Sequence, residues 1–420
     1  MTRWNQYLSY IQVRILRYLL FLNVVNTTFF SVYSQVKLDS SVHFGSQSDL
    51  YTPDIHSIHP IGIFFSKASQ HFRQNPVQSK QLKIQIGSGN VWLPSVTGFI
   101  PVNTSDRNSI EKLPWHEREF EFNPMEIPSE KIQFQADGVI KSLAVSLAVP
   151  LSLNWDWNLK VKSYLLTRGK VPFTLLTNDS FIEWVHTNLV ADEDPFARKY
   201  YGLDMAGIHY VDENSASIEW DNGTILLPGI ESQMNYYPSL DYFNKLGLSL
   251  NIGILAGFNL SRFNPSFDMG ASINMIQEVV VHNQRKIYFG GGYSLLKPGL
   301  VSFGNRVNIY NVDLLHGFEG QISFQFSLKS DRLLQLGVHY SYRSPFRKKK
   351  EFDYLILSGD RISTHWHYAL SHLYKPFHTG SVIVSLFKKN TISIYIREDL
   401  IANNAPDLQT GIGWVIPIQK

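Results

Sequence analysis

The sequence predicts an all-β protein, a transmembrane antiparallel up-and-down β-barrel of about 12 strands, within a range of roughly 10 to 14. Apolar residues alternate with small polar ones over runs of roughly 9–12 residues, the length of a tilted strand that crosses a bilayer. Short polar turns alternate with long loops, as in outer-membrane barrels. The second face of these runs is rich in Gly, Ser, Asn and Gln, which suits a polar lumen.

Composition excludes several classes of protein. The chain has 420 residues, of which 14% are aromatic and 17% are charged, whereas a disordered chain has few aromatic residues and a large net charge. The absence of cysteine excludes a disulfide-stapled domain, a thiolate metal site and a cysteine nucleophile. A secreted β-sandwich remains as the rival fold, but its strands are expected to be shorter.

Residues 1–34 have the pattern of a cleaved export signal. Three arginines and no acidic residue precede or flank an apolar core at 18–25, and small residues stand before Gln35. The whole chain carries 38 basic and 35 acidic residues, a net charge of +3. Removal of this segment takes away its three arginines and no acidic residue, so the net charge falls to zero. We therefore predict no nucleic-acid partner.

The clearest hairpin lies at 318–342. Phe318, Ile322, Phe324 and Phe326 share one face, polar residues fill the other, and the turn at 329–331 leads into a matching second strand. Similar runs occur at 141–151, 157–165, 246–258, 267–275, 381–387, 391–397 and 408–418. Further candidate strands are 81–86, 130–135, 285–295, 306–314 and 361–373.

The pattern also predicts how the chain is divided. Residues 35–78 are interpreted as an irregular N-terminal lead or lumen plug, because they are polar and rich in His, Pro and Ser. Residues 79–420 are predicted to form the barrel, with long loops at 95–130, 167–204 and 344–360. The spacing of apolar residues predicts a short loop helix over 179–190.

Several local motifs resemble those of DUF3187, a family of uncharacterised bacterial proteins that look like outer-membrane barrels. The resemblance covers roughly residues 130–420. The motifs are the strand pair 143–166, the loop pattern of Asp179, Ile182, Glu183, His186 and Arg198, the unit at 342–346, and the C-terminal pieces 397–399, 405–407 and 411–414. The resemblance implies a fold and a location and supplies no known activity.

Polar residues on the inward face of the predicted strands are the candidate binding residues. They are Lys160, Lys162, Glu319, Gln321, Gln325, His365 and His367. The two histidines, two positions apart, point to the same face and could share a metal ion, but no third ligand is predictable, so no metal and no cofactor is predicted.

Asp179, Glu183 and His186 form a possible acid–histidine set. At i, i+4 and i+7 they would share one face of a helix, and a carboxylate that orients a histidine is the arrangement of general-base catalysis. The alternative is an ordinary polar loop helix. This set would serve an enzyme that acts on outer-membrane lipid, although an enzyme is not the favoured interpretation.

A basic run follows one strand end. Arg343, Arg347, Lys348, Lys349 and Lys350 could bind lipopolysaccharide phosphates, or could simply form a solvated loop tip.

The favoured expectation is a passive pore or uptake channel for an unidentified small solute in the bacterial outer membrane. The alternatives are the lumen-plugged lipid enzyme and a structural or surface-presenting barrel. The expected partners are outer-membrane lipid, lipopolysaccharide and, during biogenesis, the barrel-assembly machinery.

Overall fold

The computed structural model describes residues 50–52, 59–115, 117–123, 125–169, 176–185, 187–188, 198–281, 285–328, 332–358, 368–400 and 407–418. All of them belong to the unit Ser48–Lys420.

The strands in these ranges form one antiparallel sheet. They are β1 (Lys80–Pro101), β2 (Ser129–Ser152), β3 (Trp155–Thr167), β4 (Gly207–Val211), β5 (Ser217–Asp221), β6 (Ile225–Tyr236), β7 (Leu248–Asn259), β8 (Ser266–Val281), β9 (Arg285–Ser302), β10 (Leu315–Leu328), β11 (Arg332–Arg343), β12 (Ile356–Ser358), β13 (Phe377–Phe387), β14 (Thr391–Asp399) and β15 (Leu408–Ile418).

Twelve of these strands close into an up-and-down barrel. Each pairs with the next in the order β1, β2, β3, β6 to β11, β13, β14 and β15, and β15 then pairs back with β1 from Lys80↔Ile418 to Gly89↔Gln409. Closure gives every strand of the ring two neighbours, so no edge is left with unsatisfied backbone groups. The predicted barrel and its strand number are confirmed.

The outer face of the barrel carries exposed apolar side chains on all sides. On β14, for example, Ile392, Ile394 and Ile396 are exposed, whereas Ser393 between them is buried. Other strands contribute residues such as Val145, Val161, Ile254, Ile273, Phe289, Ile322, Val338, Val382 and Ile412. A continuous apolar exterior of this kind is the lipid-facing band of a membrane barrel.

Six short helices lie outside the barrel wall. They are α1 (Thr104–Glu111), α2 (Arg118–Glu121), α3 (Asp179–Val185), α4 (Arg198–Tyr201), α5 (Asp241–Lys245) and α6 (Tyr368–Tyr374), within the residues that the structure describes. Single 3-10 turns occur at Gly62–Phe64 and Lys349–Glu351. Across the described ranges, no helix is both long enough and apolar enough to span a membrane.

The long-loop end of the barrel carries a folded cap. β1 and β2 continue past the barrel, where β12 pairs with β1 and the β4–β5 hairpin pairs with β2. Between these strands, the loops and α6 lies an apolar core with members such as Val91, Phe134, Ile218, Trp220, Ile309 and Leu373. The cap is therefore built around an apolar core.

Several predicted elements differ in the structure. The candidates 130–135 and 141–151 are one strand, β2, which runs through the Asp137-Gly138 break because Gly138 adopts a φ of 127°. Residues 306–314 are a loop, whose apparent alternation arises because Val307 and Ile309 are buried in the cap core. Residues 368–374, which overlap the predicted strand 361–373, form α6 instead.

The spacing of its apolar residues explains why α6 is a helix and not a strand. Ala369, Leu370 and Leu373 lie at helical spacing and all join the cap core. The loop predicted at 95–130 is also shorter, because β1 continues to Pro101 and β2 begins at Ser129.

Candidate functional site

Residues 59–78, which we call the lumen segment, lie inside the barrel. Backbone N–H groups of the segment donate hydrogen bonds to inward side chains on several strands. These bonds run from Ser66 to Asp268 Oδ2 (3.0 Å), from Lys67 to Glu231 Oε1 (3.1 Å), from Ser69 to Gln233 Oε1 (2.8 Å) and from Val77 to Asp156 Oδ2 (3.2 Å). The partners lie on β3, β6 and β8, so residues 59–78, which are part of the range 35–78 interpreted as a lead or lumen plug, contact the inner face of these strands.

The upper part of the lumen segment belongs to the cap core. Ile61, Ile63 and Phe64 are fully buried there, and Phe65 stacks on Phe346 with ring centroids 5.1 Å apart. Asn264 also donates from Nδ2 to the Phe64 carbonyl oxygen at 2.9 Å. The segment is thus held by apolar packing at the loop end and by polar bonds deeper in the lumen.

Lys160 and Lys162, two of the predicted lumen residues, both bind the lumen segment. Lys160 Nζ donates to Ser69 Oγ at 2.9 Å, and Lys162 Nζ donates to the Phe65 carbonyl oxygen at 2.6 Å. Each ammonium group also lies 2.8 Å from one carboxylate oxygen of Glu231. These three charged groups are almost completely buried, so each ammonium group has a carboxylate oxygen as a partner where water is scarce.

Sequence reasoning missed Glu231. Its strand, β6, was not among the predicted strands, although Asn222-Gly223 marks a hairpin turn before it. Proline at position 228 and glycine at 229 interrupt the alternation that would otherwise have shown Glu231, Gln233 and Asn235 on one face.

A second charged group lies on the opposite wall. Glu319 Oε1 is 2.5 Å from Lys67 Nζ, and Glu319 Oε2 is 3.3 Å from His339 Nε2. Gln321 donates from Nε2 to the Tyr51 carbonyl oxygen at 3.1 Å, and Gln325 is buried on the same inward face. Sequence reasoning did not single out His339, although it lies on the polar face of the clearest hairpin.

The predicted residues His365 and His367 lie outside the described residues, so their lumen role stays a prediction. His372, placed by the sequence on a strand, lies on α6, where its ring is 5.5 Å from that of His59. Among the described residues, no group of three His, Asp or Glu side chains is placed to hold a metal ion.

Asp179 and Glu183 lie on α3 and face Arg198, not each other. Arg198 Nη2 is 3.1 Å from Asp179 Oδ1, Arg198 Nε is 3.8 Å from Glu183 Oε1, and Arg198 Nη1 is 3.7 Å from Asp407 Oδ2. Asn90 also donates from Nδ2 to Asp179 Oδ1 at 2.8 Å. Asn90 lies in phase with the outward residues Leu82, Ile84 and Ile86 of β1, so this buried cluster covers the outside of the wall.

The two carboxylates therefore serve an ion-pair cluster around Arg198. His186 lies outside the described residues. A carboxylate committed to an arginine is a weak orienting group for a histidine, so no observation favours the acid–histidine set as a catalytic site.

The basic run divides into two parts. Lys348, Lys349 and Lys350 are exposed and Arg343 is half-buried, but Arg347 is only 3% exposed. Its two terminal nitrogens each lie 2.9 Å from an oxygen of Glu213, and Nη2 also lies 3.0 Å from Glu351. The expectation of a solvated or lipopolysaccharide-binding residue is therefore wrong for Arg347, which ties the β4–β5 turn to the cap.

The Glu213–Arg347 ion pair shifts the pKa of the Glu213 carboxyl. Burial tends to raise the pKa of the Glu213 carboxyl, but the hydrogen bonds and positive charge of Arg347 outweigh it and hold that pKa below its ordinary value.

A cleft lies beside the lumen segment. It lies between the segment and the loop-end parts of β9, β10 and β11, and its volume is about 50 Å³. Its walls include Phe65, Lys67, Leu296, Glu319 and Arg343. The cleft therefore joins an apolar wall to charged groups.

Three solved structures of outer-membrane proteins are distantly similar to the chain. The NanC porin is 9% identical with a TM-score of 0.34, over 67% of this chain and 94% of that one. An outer-membrane channel from Pseudomonas putida F1 is 7% identical with a TM-score of 0.35, over 82% and 96%. The β domain of the Bordetella autotransporter Brka is 9% identical with a TM-score of 0.32, over 81% and 100%.

No protein-family model matches the chain, and no curated protein matches it. At these identities and scores, the three likenesses carry no conclusion about function.

Proposed function

We propose that the protein is an outer-membrane channel of a Gram-negative bacterium, held closed by its own lumen segment. The observation that carries the proposal is the position of residues 59–78, which bind inward side chains on several strands of a closed barrel with an apolar exterior. An exported chain with this exterior belongs in a membrane that accepts barrels. The family resemblance to DUF3187 proteins is consistent with this location.

The contacts between the segment and the wall favour a displaceable closure. Deep in the lumen they are hydrogen bonds and ion pairs, such as those of Ser69 with Gln233 and of Lys67 with Glu319. Water can replace each neutral hydrogen bond at a net cost of roughly 0.5–1.5 kcal/mol, and each bond to a charged group at roughly 1.5–3 kcal/mol. The apolar residues Ile61 to Phe65 oppose release, so opening would require the cap to move with the segment.

Conductance across planar bilayers tests the channel. We expect rare openings from the wild type and frequent openings from Lys67→Glu, because the new carboxylate repels Glu319 and loosens the segment. Lys388→Glu is the matched control, since this substitution makes the same change of charge at an exposed turn of the barrel. It should conduct like the wild type.

A variant that lacks residues 35–78 gives the second arm of this test. Barrel folding is checked by the mobility of unheated protein in detergent gels. If this variant and Lys67→Glu are both folded and neither carries current, the channel proposal fails.

A second candidate is a barrel that presents a folded cap at the cell surface without transport. The observation that favours it is the shared core of cap and segment, in which Ile61, Phe134 and Leu373 take part. A folded but silent variant without residues 35–78 would favour this candidate. The exposed lysines 348–350 could then contact lipopolysaccharide phosphates, a partner that stays a proposal.

A further inference from the structure

The wall formed by β10, β11, β13, β14 and β15 has polar groups that the lumen segment does not satisfy. Near the level of Glu319, five buried polar atoms have no hydrogen-bond partner within the described part of the chain. They are Gln321 Oε1, His339 Nδ1, Thr379 Oγ1, Arg397 Nη2 and Gln409 Oε1. Such groups are uncommon in folded proteins, and a cluster of them indicates a place for water or a polar solute.

Arg397 is the member of this cluster that carries a buried positive charge. Its side chain projects inward from β14 and is 4% exposed, and Nε donates to Ser381 Oγ at 3.0 Å while Nη2 has no partner. The carboxylate that acts on it electrostatically is Glu319, which already binds Lys67 and His339. A buried guanidinium group without a carboxylate of its own is a strong binding group for an anion.

A cleft lies beside this cluster, and Glu319, which contacts His339, is one of its lining residues. Glu319 and Arg343 line the cleft, and both act electrostatically on Arg397. Phe65 and Phe346 form part of its apolar wall. A charged floor below an apolar wall suits a small organic molecule with one anionic end.

We propose that this part of the lumen binds a small solute that carries a carboxylate or a phosphate, with Arg397 as its main ligand and Arg343 at the entrance. The inference rests on the proposed channel and names the class of its solute. Both anions accept paired N–H bonds from a guanidinium group, so the chemistry of the site is the same for either.

Calorimetric titration of the full-length protein in detergent tests the site, with citrate and inorganic phosphate as probes. We expect the wild type to bind at least one probe and Arg397→Gln to bind it at least about tenfold more weakly. Arg343→Gln should also weaken binding. Lys348→Gln is the control for general surface charge, because Lys348 is exposed outside the lumen, and it should bind like the wild type.

Each outcome decides the proposal. Binding of citrate or of phosphate identifies which anion the site prefers. The proposal is overturned if folded wild type binds neither probe, or if Arg397→Gln binds as tightly as the wild type. If Arg397→Gln does not fold, equal binding by Arg343→Gln and the wild type overturns it.

The conductance experiments separate this inference from the channel itself. Anion binding without current would leave the site standing and sink the channel. Current without anion binding would leave the channel standing and sink the site.

Discussion

At the scale of single residues, two buried arginines form ion pairs with the carboxylates of the loops. Arg198 binds Asp179 and Glu183 from its own loop and Asp407 from the approach to β15. The loop motif and the C-terminal motif that suggested a family resemblance therefore meet at one guanidinium group. Arg347 similarly joins Glu213 and Glu351. In both clusters the acids stabilise the fold of the loops.

The Glu213–Arg347 pair predicts a pH-dependent stability. Because the folded pKa of Glu213 is lowered, its contribution is present above the unfolded value of about 4.3 and is lost as pH falls through the folded value. We expect Glu213→Gln to lower the free energy of unfolding at pH 7 by about 2 kcal/mol.

Urea unfolding at a series of pH values measures this effect. The difference between Glu213→Gln and the wild type should shrink below a pH of about 4 and disappear once the carboxyl is protonated. Glu219→Gln, at an exposed position of the neighbouring strand β5, is the control and should show no such trend. A difference that stays constant from pH 7 to acid pH would contradict the assigned role of the charge.

At the scale of elements, the lumen segment and Tyr51 lie close to the wall only because glycines there have no side chain. A Cβ atom added at Gly257, Gly292 or Gly413 would collide with Ser66, Gln70 or Tyr51 respectively. These glycines lie on strands that pattern reasoning treats as ordinary alternation. Their positions show that part of the inner wall is shaped for close approach of residues 50–52 and 59–78.

Gly257→Ala should therefore destabilise the seated segment. The added methyl group overlaps Ser66 Oγ and Cβ, and we expect a loss of about 1–3 kcal/mol of unfolding free energy. Gly291→Ala is the matched control, since a Cβ there meets nothing within 4 Å. Ser66→Gly in the Gly257→Ala background removes the colliding atoms and should restore much of the loss. Equal stability of the two alanine variants would show that the segment is not seated as described.

The sequence alone predicts the strands of the barrel better than it predicts the elements around them. Strand alternation is local, so β10, β11, β13 and β14 were predicted close to their observed bounds. The pairing of β2 with β4, and the burial of Val307 and Ile309, depend on residues far apart in the chain. Alternation also placed Lys160 and Lys162 on the inner face. Neither Glu231 nor the contacts of the two lysines with the lumen segment could be deduced, because these contacts join residues far apart in the chain.

At the scale of the whole molecule, the barrel separates two environments. Inward positions on β14 are Ser393, Tyr395 and Arg397, which are buried, whereas the outward positions Ile392, Ile394 and Ile396 are exposed. The mean hydropathy of the chain is −0.12, which is near neutral because it averages these two faces. A membrane barrel needs this division, because lipid must meet apolar side chains while the interior stays polar.

The division makes one prediction about the bilayer itself. Ile394, in the middle of β14, is 56% exposed, and Val102, beyond the end of β1 at the cap, is 52% exposed. Two residues of equal exposure should tolerate lysine equally in a water-soluble protein. In a membrane barrel, Ile394→Lys should cost about 2–4 kcal/mol of folding free energy in lipid vesicles, because the ammonium group must enter hydrocarbon. Val102→Lys should cost less than about 0.5 kcal/mol, since the cap lies in water. Reversible urea unfolding in vesicles measures both, and equal costs would contradict the proposed placement of the barrel in the membrane.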